Sequence, residues 1–407
     1  GDIYHRDLST GTEKQLTNTL ERESDPNFTS IANTITFIRD NNIFSWNLET
    51  SQLTQLSDFR PGKERPEKKP LEYESWLERD QLEYFDILAR QKSVREARQR
   101  REELLEPKRP KTIYLGDQNV SNIQASPDLA FVTFALISRA KPARTIVPNY
   151  VTQSGFTEDI NARTKVGAPG NTYKMGIYDL QRDTDYYVDT KQIPGIYDKP
   201  AFLKDYHKGE DAYQEKYDKP REVIIAGPVF SQDSKAVVVV RSLDNKDRWI
   251  MQANFSDGSL ELLDRQHDEA WIGGPGIGWT ASAGNLGWMP DGKNIWFQSE
   301  ESGYSHLYTI EVDSKSKKAL TSGPYEVLDA FLSKDKTHFY LMANAEGPHE
   351  QHFYRLPLEG GTPEKITSLP GGNQVVLSPD EQYLAVNYSY SNKPWELYVM
   401  ENKPGAE

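Results

Sequence analysis

Residues able to carry covalent or metal chemistry are few in this chain. A serine nucleophile on a strand–turn–helix elbow needs Gly-x-Ser-x-Gly, because glycine permits the strained turn that exposes the hydroxyl. The nearest match, Thr280-Ala281-Ser282-Ala283-Gly284, lacks the first glycine and a preceding strand. Histidine occurs at positions 5, 207, 267, 306, 338, 349 and 352. His349-Glu350-Gln351-His352 has the wrong spacing for a helical His-Glu-x-x-His zinc site and lies in a β-turn context. His306 falls inside a strand repeat, where packing or hydrogen bonding fits better than catalysis. Gly273, Gly274, Gly276 and Gly278 neither follow a clear strand nor open a helix, so they read as a flexible connection rather than a phosphate loop. No cysteine is present, which excludes disulfides and thiolate metal sites. On this reading the chain holds no catalytic residue, no metal ligand and no cofactor site.

Carboxylates are plentiful: Asp and Glu number 61 against 48 Lys and Arg, for a net charge of -13. That balance argues against nucleic acid as a partner, since phosphate binding needs a basic face. The stretch Arg95 to Lys111 is a local exception. The acidic residues that draw attention are Glu72, Glu74, Glu78 and Asp80, crowded into the first turns of a helix. Glu158 and Asp159, in a long loop, read as solvated. No run of about 18 apolar residues is present to span a membrane, and no leader-like start is visible.

The elements that must hold these residues follow from a repeat. A hydrophobic strand leads to a turn such as Ser126-Pro127-Asp128, Pro290-Asp291-Gly292 or Ser378-Pro379-Asp380. Ser231-Gln232-Asp233 and Ser333-Lys334-Asp335 occupy equivalent places without proline. Apolar strands follow: Phe131 to Ile137, Val237 to Val240, Ile295 to Phe297, Phe339 to Met342 and Tyr383 to Val386. An outer strand pair ends in Leu16-Thr17, Leu56-Ser57, Leu320-Thr321 and Ile366-Thr367. Proline presets one angle of a tight turn and Asp or Gly completes it. A small sheet with alternating apolar residues cannot cover both its faces, so it stacks on its neighbours.

The spacing of about 40 to 50 residues fits an all-β fold, a β-propeller of four-stranded blades. It predicts about seven or eight blades, the first one incomplete, across residues 1–407. First strands are expected near Phe28, Ile123, Val229, Leu286, Val327 and Val375. Residues 3 to 17 read as the second half of a blade, so the chain is expected to be a fragment. A β-sandwich is the competing architecture, and the regular spacing favours the ring.

Two segments break the repeat. Residues 61–111 are bounded by Pro61, Pro66, Pro70, Pro107 and Pro110 and hold a helical insertion with Tyr73, Trp76, Leu77, Tyr84, Ile87 and Leu88 on one face. It reads as a solvated helix lying on the propeller, or as one whose acidic first turns face a substrate. Its basic end could dock another domain or subunit. Residues 138 to 166 read as a long loop or an extended hairpin leaving the ring, of the kind that is often functional.

Several stretches resemble the propeller of the dipeptidyl peptidase IV branch of the prolyl oligopeptidase family. The run Ser299-Glu300-Glu301-Ser302-Gly303-Tyr304-Ser305-His306-Leu307-Tyr308 carries the resemblance, followed by Thr321-Ser322-Gly323-Pro324-Tyr325-Glu326-Val327. Lys165 to Asn171 and Ala345 to Pro348 with Phe353 to Leu356 add to it, in the expected order. The resemblance implies a serine peptidase whose α/β-hydrolase domain follows residue 407, with a propeller that admits peptides to it. It implies paired glutamates for the substrate's amino terminus, and the helical insertion occupies their place. Glu72, Glu74 or Glu78 stand as replacements, and Trp279 falls near a loop bordering the substrate cavity. Partners implied are a peptide and the hydrolase domain, with a homodimer left open. A periplasmic or secreted location is favoured by the resemblance alone. The alternatives are a free-standing propeller that binds a protein or ligand, and a propeller glycosidase with paired carboxylates in its channel.

Overall fold

A computed structural model describes residues 1–65, 71–105, 109–143, 145–202 and 218–406. Among them lie five four-stranded antiparallel sheets, and in each the strands lie side by side in chain order. Blade I comprises Glu23–Phe28, Thr34–Arg39, Asn42–Asn47 and Leu53–Gln55. Blade II comprises Asn119–Ala125, Phe131–Ser138, Thr172–Asp179 and Thr184–Tyr187. Blade III comprises Val223–Phe230, Ala236–Ser242, Asp247–Asn254 and Ser259–His267. Leu286–Trp288, Asn294–Ser299, His306–Glu311 and Lys317–Ala319 form blade IV. Val327–Leu332, His338–Ala343, His352–Pro357 and Glu364–Lys365 form blade V. Blade VI has three strands, Gly372–Leu377, Tyr383–Tyr390 and Lys393–Glu401. At the start, Tyr4–Arg6 pairs only with Glu13–Gln15. The predicted first strands all coincide with first strands of these blades. The fold is a β-propeller with an incomplete first blade.

Side-chain alternation explains the stacking. In blade III, Val238 and Val240 pack with Met175 and Ile177 of blade II. Val237 and Val239 point the other way and pack with Ile295 and Phe297 of blade IV. Trp296, between those two, joins Phe339 and Leu341 of blade V, and Tyr340 joins Leu384 and Val386 of blade VI. The period of two thus feeds each strand into two different cores. Each core lies between consecutive sheets, the arrangement that a lone sheet with two apolar faces requires.

Two hydrogen-bond devices recur with the repeat. Ser126, Ser231, Ser333 and Ser378 each donate to the Asp two residues on, at 2.5 to 2.6 Å, with or without proline between them. The same hydroxyls accept backbone N–H groups from the start of the next strand. At the blade ends, the hydroxyls of Thr17, Ser57, Thr321 and Thr367 accept the N–H of Ile3, Ile43, Leu307 and Phe353, each 14 residues back. His306 and His352 sit just before two of those residues and bond the same threonines through Nδ1. His306 is buried, with Nε2 on the Gly323 carbonyl. It is the packed, hydrogen-bonded histidine that the strand context predicts.

The insertion differs from its expected form. It holds two helices, α1 (Glu72–Tyr84) and α2 (Asp86–Leu105), broken at Phe85, whose backbone is extended. Pro66, Pro70 and Pro107 lie outside the described residues. No residue of α1 is buried. Tyr73, Trp76, Leu77, Tyr84, Ile87 and Leu88 all remain exposed. The apolar face is therefore a solvated one, because among the described residues no blade surface covers it. Arg98 and Arg100 of the basic end pair within α2 with Glu102 and Glu96. The second departure is a hairpin, Thr145–Asn149 against Glu158–Ala162, separate from blade II. It carries Tyr150, Val151 and Phe156 exposed at its tip.

Candidate functional site at the long-loop end

Strand order divides the propeller into two ends. In an antiparallel blade the turns from strand one to two and from three to four lie at one end. The connections from two to three, and from four to the next blade, lie at the other. The Ser-x-Asp turns share the first end, and contacts between neighbouring turns bear this out. Ser30 N–H donates to the Pro127 carbonyl, and Lys334 N–H to Glu381. Among the described residues the long departures emerge at the second end: α1 and α2, the 145–162 hairpin, residues 188–202 after blade II, and the loop 268–285 before blade IV.

Loop 268–285 presents the aromatic surface of that end. Trp271 and Trp279 stack with ring centroids 5.1 Å apart and planes at 22°. They are 58% and 44% exposed. Asp268 begins the loop by accepting the N–H groups of Ala270 and Trp271, and those bonds, Trp271's foremost, hold its carboxyl below the ordinary range. Ile277 is buried beneath. Gly278 and Gly284 have positive φ and touch backbone to backbone, so a Cβ at Gly278 would lie 2.5 Å from Gly284 N. Only glycine allows this self-packed fold.

Carboxylates flank the aromatic pair. Glu300, in the turn after Asn294–Ser299, is half-buried. Burial, and then the charge of Glu326, push its carboxyl up, against a hydrogen bond from Gly273 N–H. Glu326 accepts the Ser305 N–H at 2.5 Å. Beneath, Gln298 is buried and donates to Val327 O and Ser305 Oγ, fixing the turn against blade V. An exposed indole pair beside the Glu300 carboxylate can take an apolar group and a neighbouring ammonium.

The residues expected from the sequence are not all brought together. Trp279 is in this surface. Glu72, Glu74 and Glu78 lie on α1, exposed, at the same end. Glu74 accepts the Leu71 N–H at 2.8 Å and so caps its own helix. Glu78 pairs with Lys92 at 3.2 Å. Among the described residues no hydrogen bond or ion pair joins α1 to the tryptophan loop. Sequence reading quoted Glu300 only within the family run, and missed Trp271 and Arg241, whose guanidinium lies 5.7 Å from the centre of the Trp279 ring. The available signals were a second tryptophan eight positions before Trp279 and an arginine closing an otherwise aliphatic strand. His349 and His352 both approach Glu350, at 3.8 and 2.8 Å. The second contact leaves His352 with both ring nitrogens occupied.

Comparison with known proteins assigns the chain to a family. The profile of the dipeptidyl peptidase IV (DPP IV) N-terminal region matches residues 1–63 and 200–395. The chain belongs to this family. Its match includes Trp271, Trp279 and Glu300 and leaves out α1, α2, blade II and the hairpin. Probable dipeptidyl-aminopeptidase B of Emericella nidulans is 38% identical over 102 residues, which is 24% of this chain and 11% of that protein. The Neosartorya fischeri counterpart is 29% identical over 180 residues, 41% of this chain and 19% of that protein. The crystal structure of Porphyromonas gingivalis dipeptidyl peptidase 4 superposes with a TM-score of 0.54 at 15% identity, covering 98% of this chain and 46% of that one. That likeness carries the fold. The chain spans less than half of the solved relative and under a fifth of the curated ones it matches.

Proposed function

We propose that this chain is the non-catalytic propeller of a serine exopeptidase that cleaves short peptides, gating substrate and docking against a C-terminal α/β-hydrolase domain of the same polypeptide. One observation carries the reading: the irregular connections, the exposed indole pair and the flanking carboxylates all gather at one end, while the opposite end is closed by short turns. In the family reading that end faces the hydrolase. Trp271 and Trp279 contact an apolar substrate side chain. A carboxylate of α1, Glu72, Glu74 or Glu78, receives the amino terminus through charge-assisted hydrogen bonds. Glu72 is the freest of the three for that role, since Glu74 caps the helix and Glu78 meets Lys92. The exposed apolar tip of the 145–162 hairpin supports a homodimer.

The test is peptidase activity of the full-length protein on X-Pro and X-Ala chromogenic dipeptides, beside their N-acetylated forms. The reading expects cleavage of the free-amine forms, at least about tenfold impairment on acetylation and a similar loss in Glu72→Gln. Equal cleavage of both forms removes the amino-terminal role. An inactive full-length protein removes the peptidase reading and leaves a scaffold propeller.

A further inference from the structure

Arg241 and Arg248 face each other across the ladder between Ala236–Ser242 and Asp247–Asn254. Both are buried, and among the described residues neither makes an ion pair with a carboxylate. Two like charges directly opposite in a sheet repel, and burial adds to the cost, offset for Arg248 only in part by the charge of Asp264. An arrangement so unfavourable in itself needs compensating acceptors, and one loop supplies most of them. Arg241 donates to the carbonyls of Ile272, Ile277 and Gly278 at 3.1, 3.2 and 2.7 Å. Arg248 donates to Ala283 O at 3.0 Å, and to Gln298 O and Gln266 Oε1 in the sheet. The first arginine grips the loop between its two tryptophans, and the second grips its far end. The Arg241 guanidinium also lies 5.7 Å from the centre of the Trp279 ring, within cation–π range.

We infer that Arg241 is a positioning residue: its planar fork closes the segment from Trp271 to Trp279 so that the two indoles stack at the long-loop end. The inference deepens the peptide-binding reading of that surface and rests on it for its functional consequence. Ile272 and Gly278 are six positions apart, and a single guanidinium spans their carbonyls because its donors diverge in one plane. Lysine, with its donors on one atom, cannot hold three divergent carbonyls and also present a flat cation to an indole. Without the fork, the loop keeps Ile277 as an apolar plug but loses the tie that sets one tryptophan over the other.

Stacked indoles couple their electronic transitions and give a paired signal in far-ultraviolet circular dichroism. In the full-length protein, Trp271→Phe identifies that signal by its loss. Arg241→Met, close in length and apolar, is expected to lose the same signal. It should also raise KM for an X-Pro dipeptide substrate about tenfold while kcat changes by less than about threefold. Arg241→Lys keeps the buried charge and serves if the methionine variant does not fold; it too must lose the signal. Retention of the paired signal in either folded variant overturns the inference. Loss of the signal with KM unchanged supports the positioning role and overturns the peptide reading of the tryptophan pair.

Discussion

The two ends of the propeller use the same residue types in opposite ways. At the turn end, a serine hydroxyl holds the aspartate in four of the turns and takes backbone N–H groups, and Asp291 accepts backbone N–H groups itself. The Ser333 and Thr337 hydroxyls lower the Asp335 carboxyl to about 2. Ser231 and Ser378 lower Asp233 and Asp380 in the same way. At the long-loop end, Glu300 is pushed up by burial and by Glu326, and two large indoles stand in solvent. Carboxylates at the first end complete the fold. At the second, unfavourable groups are held in place by the fold: a half-buried carboxylate, exposed aromatics and a pair of buried arginines, of which Arg248 is driven down to about 9 by burial. The proposed function thus sits at one end of the blades and the closed hydrogen-bonded turns at the other, and each end can be perturbed alone.

Substitutions that break this separation should show it most clearly. The largest stability effect belongs to the turn end. Ser333→Ala removes the acceptor for two backbone N–H groups and the donor to Asp335. It should cost about 2 kcal/mol by urea unfolding, with peptide KM unchanged. Trp279→Ala should do the reverse. Peptide KM of the full-length protein rises about tenfold, while unfolding free energy falls by about 1 kcal/mol, the scale of the lost ring stack and cation–π contact. A swap of these outcomes would dissolve the distinction between the ends.

The smallest effects sharpen the contrast through pH. Asp335 has a folded value below its unfolded one, so its contribution is present above about pH 4. It is lost as pH falls towards about 2. Glu300 has a folded value above its unfolded one. Its burden is absent in acid and appears as pH rises through the folded value. Glu300→Gln should therefore raise the melting temperature slightly at pH 7 and not at pH 4. Asp335→Asn should lower it at pH 7 and converge with the parent near pH 2. Melting curves of both variants at the two extremes check the opposite signs.

Much of the architecture was legible because it is written in short-range terms. The Ser-x-Asp turns, the alternation through Val237 to Val240 and the hydroxyl that closes each outer strand pair all involve residues within about fifteen positions of one another. They specify a small sheet with two apolar faces, and the stacked ring follows from that. The insertion was legible as helix, but its break at Phe85 and its uncovered face were not. Periodicity reports which residues share a face, and it is silent on whether anything packs there. Trp279 could be singled out, yet its partner Trp271 and the clamp beneath it could not.

The sequence by itself determined the blades, their order and the turn end, since turn chemistry and a period of two act locally along the chain. Only the tertiary structure decided the long-loop end. There Arg241 meets carbonyls more than thirty residues away, and Glu300 acquires its proton affinity from burial and from Glu326 across a blade boundary. Such contacts depend on how neighbouring blades bring separate loops together, and no local pattern encodes that.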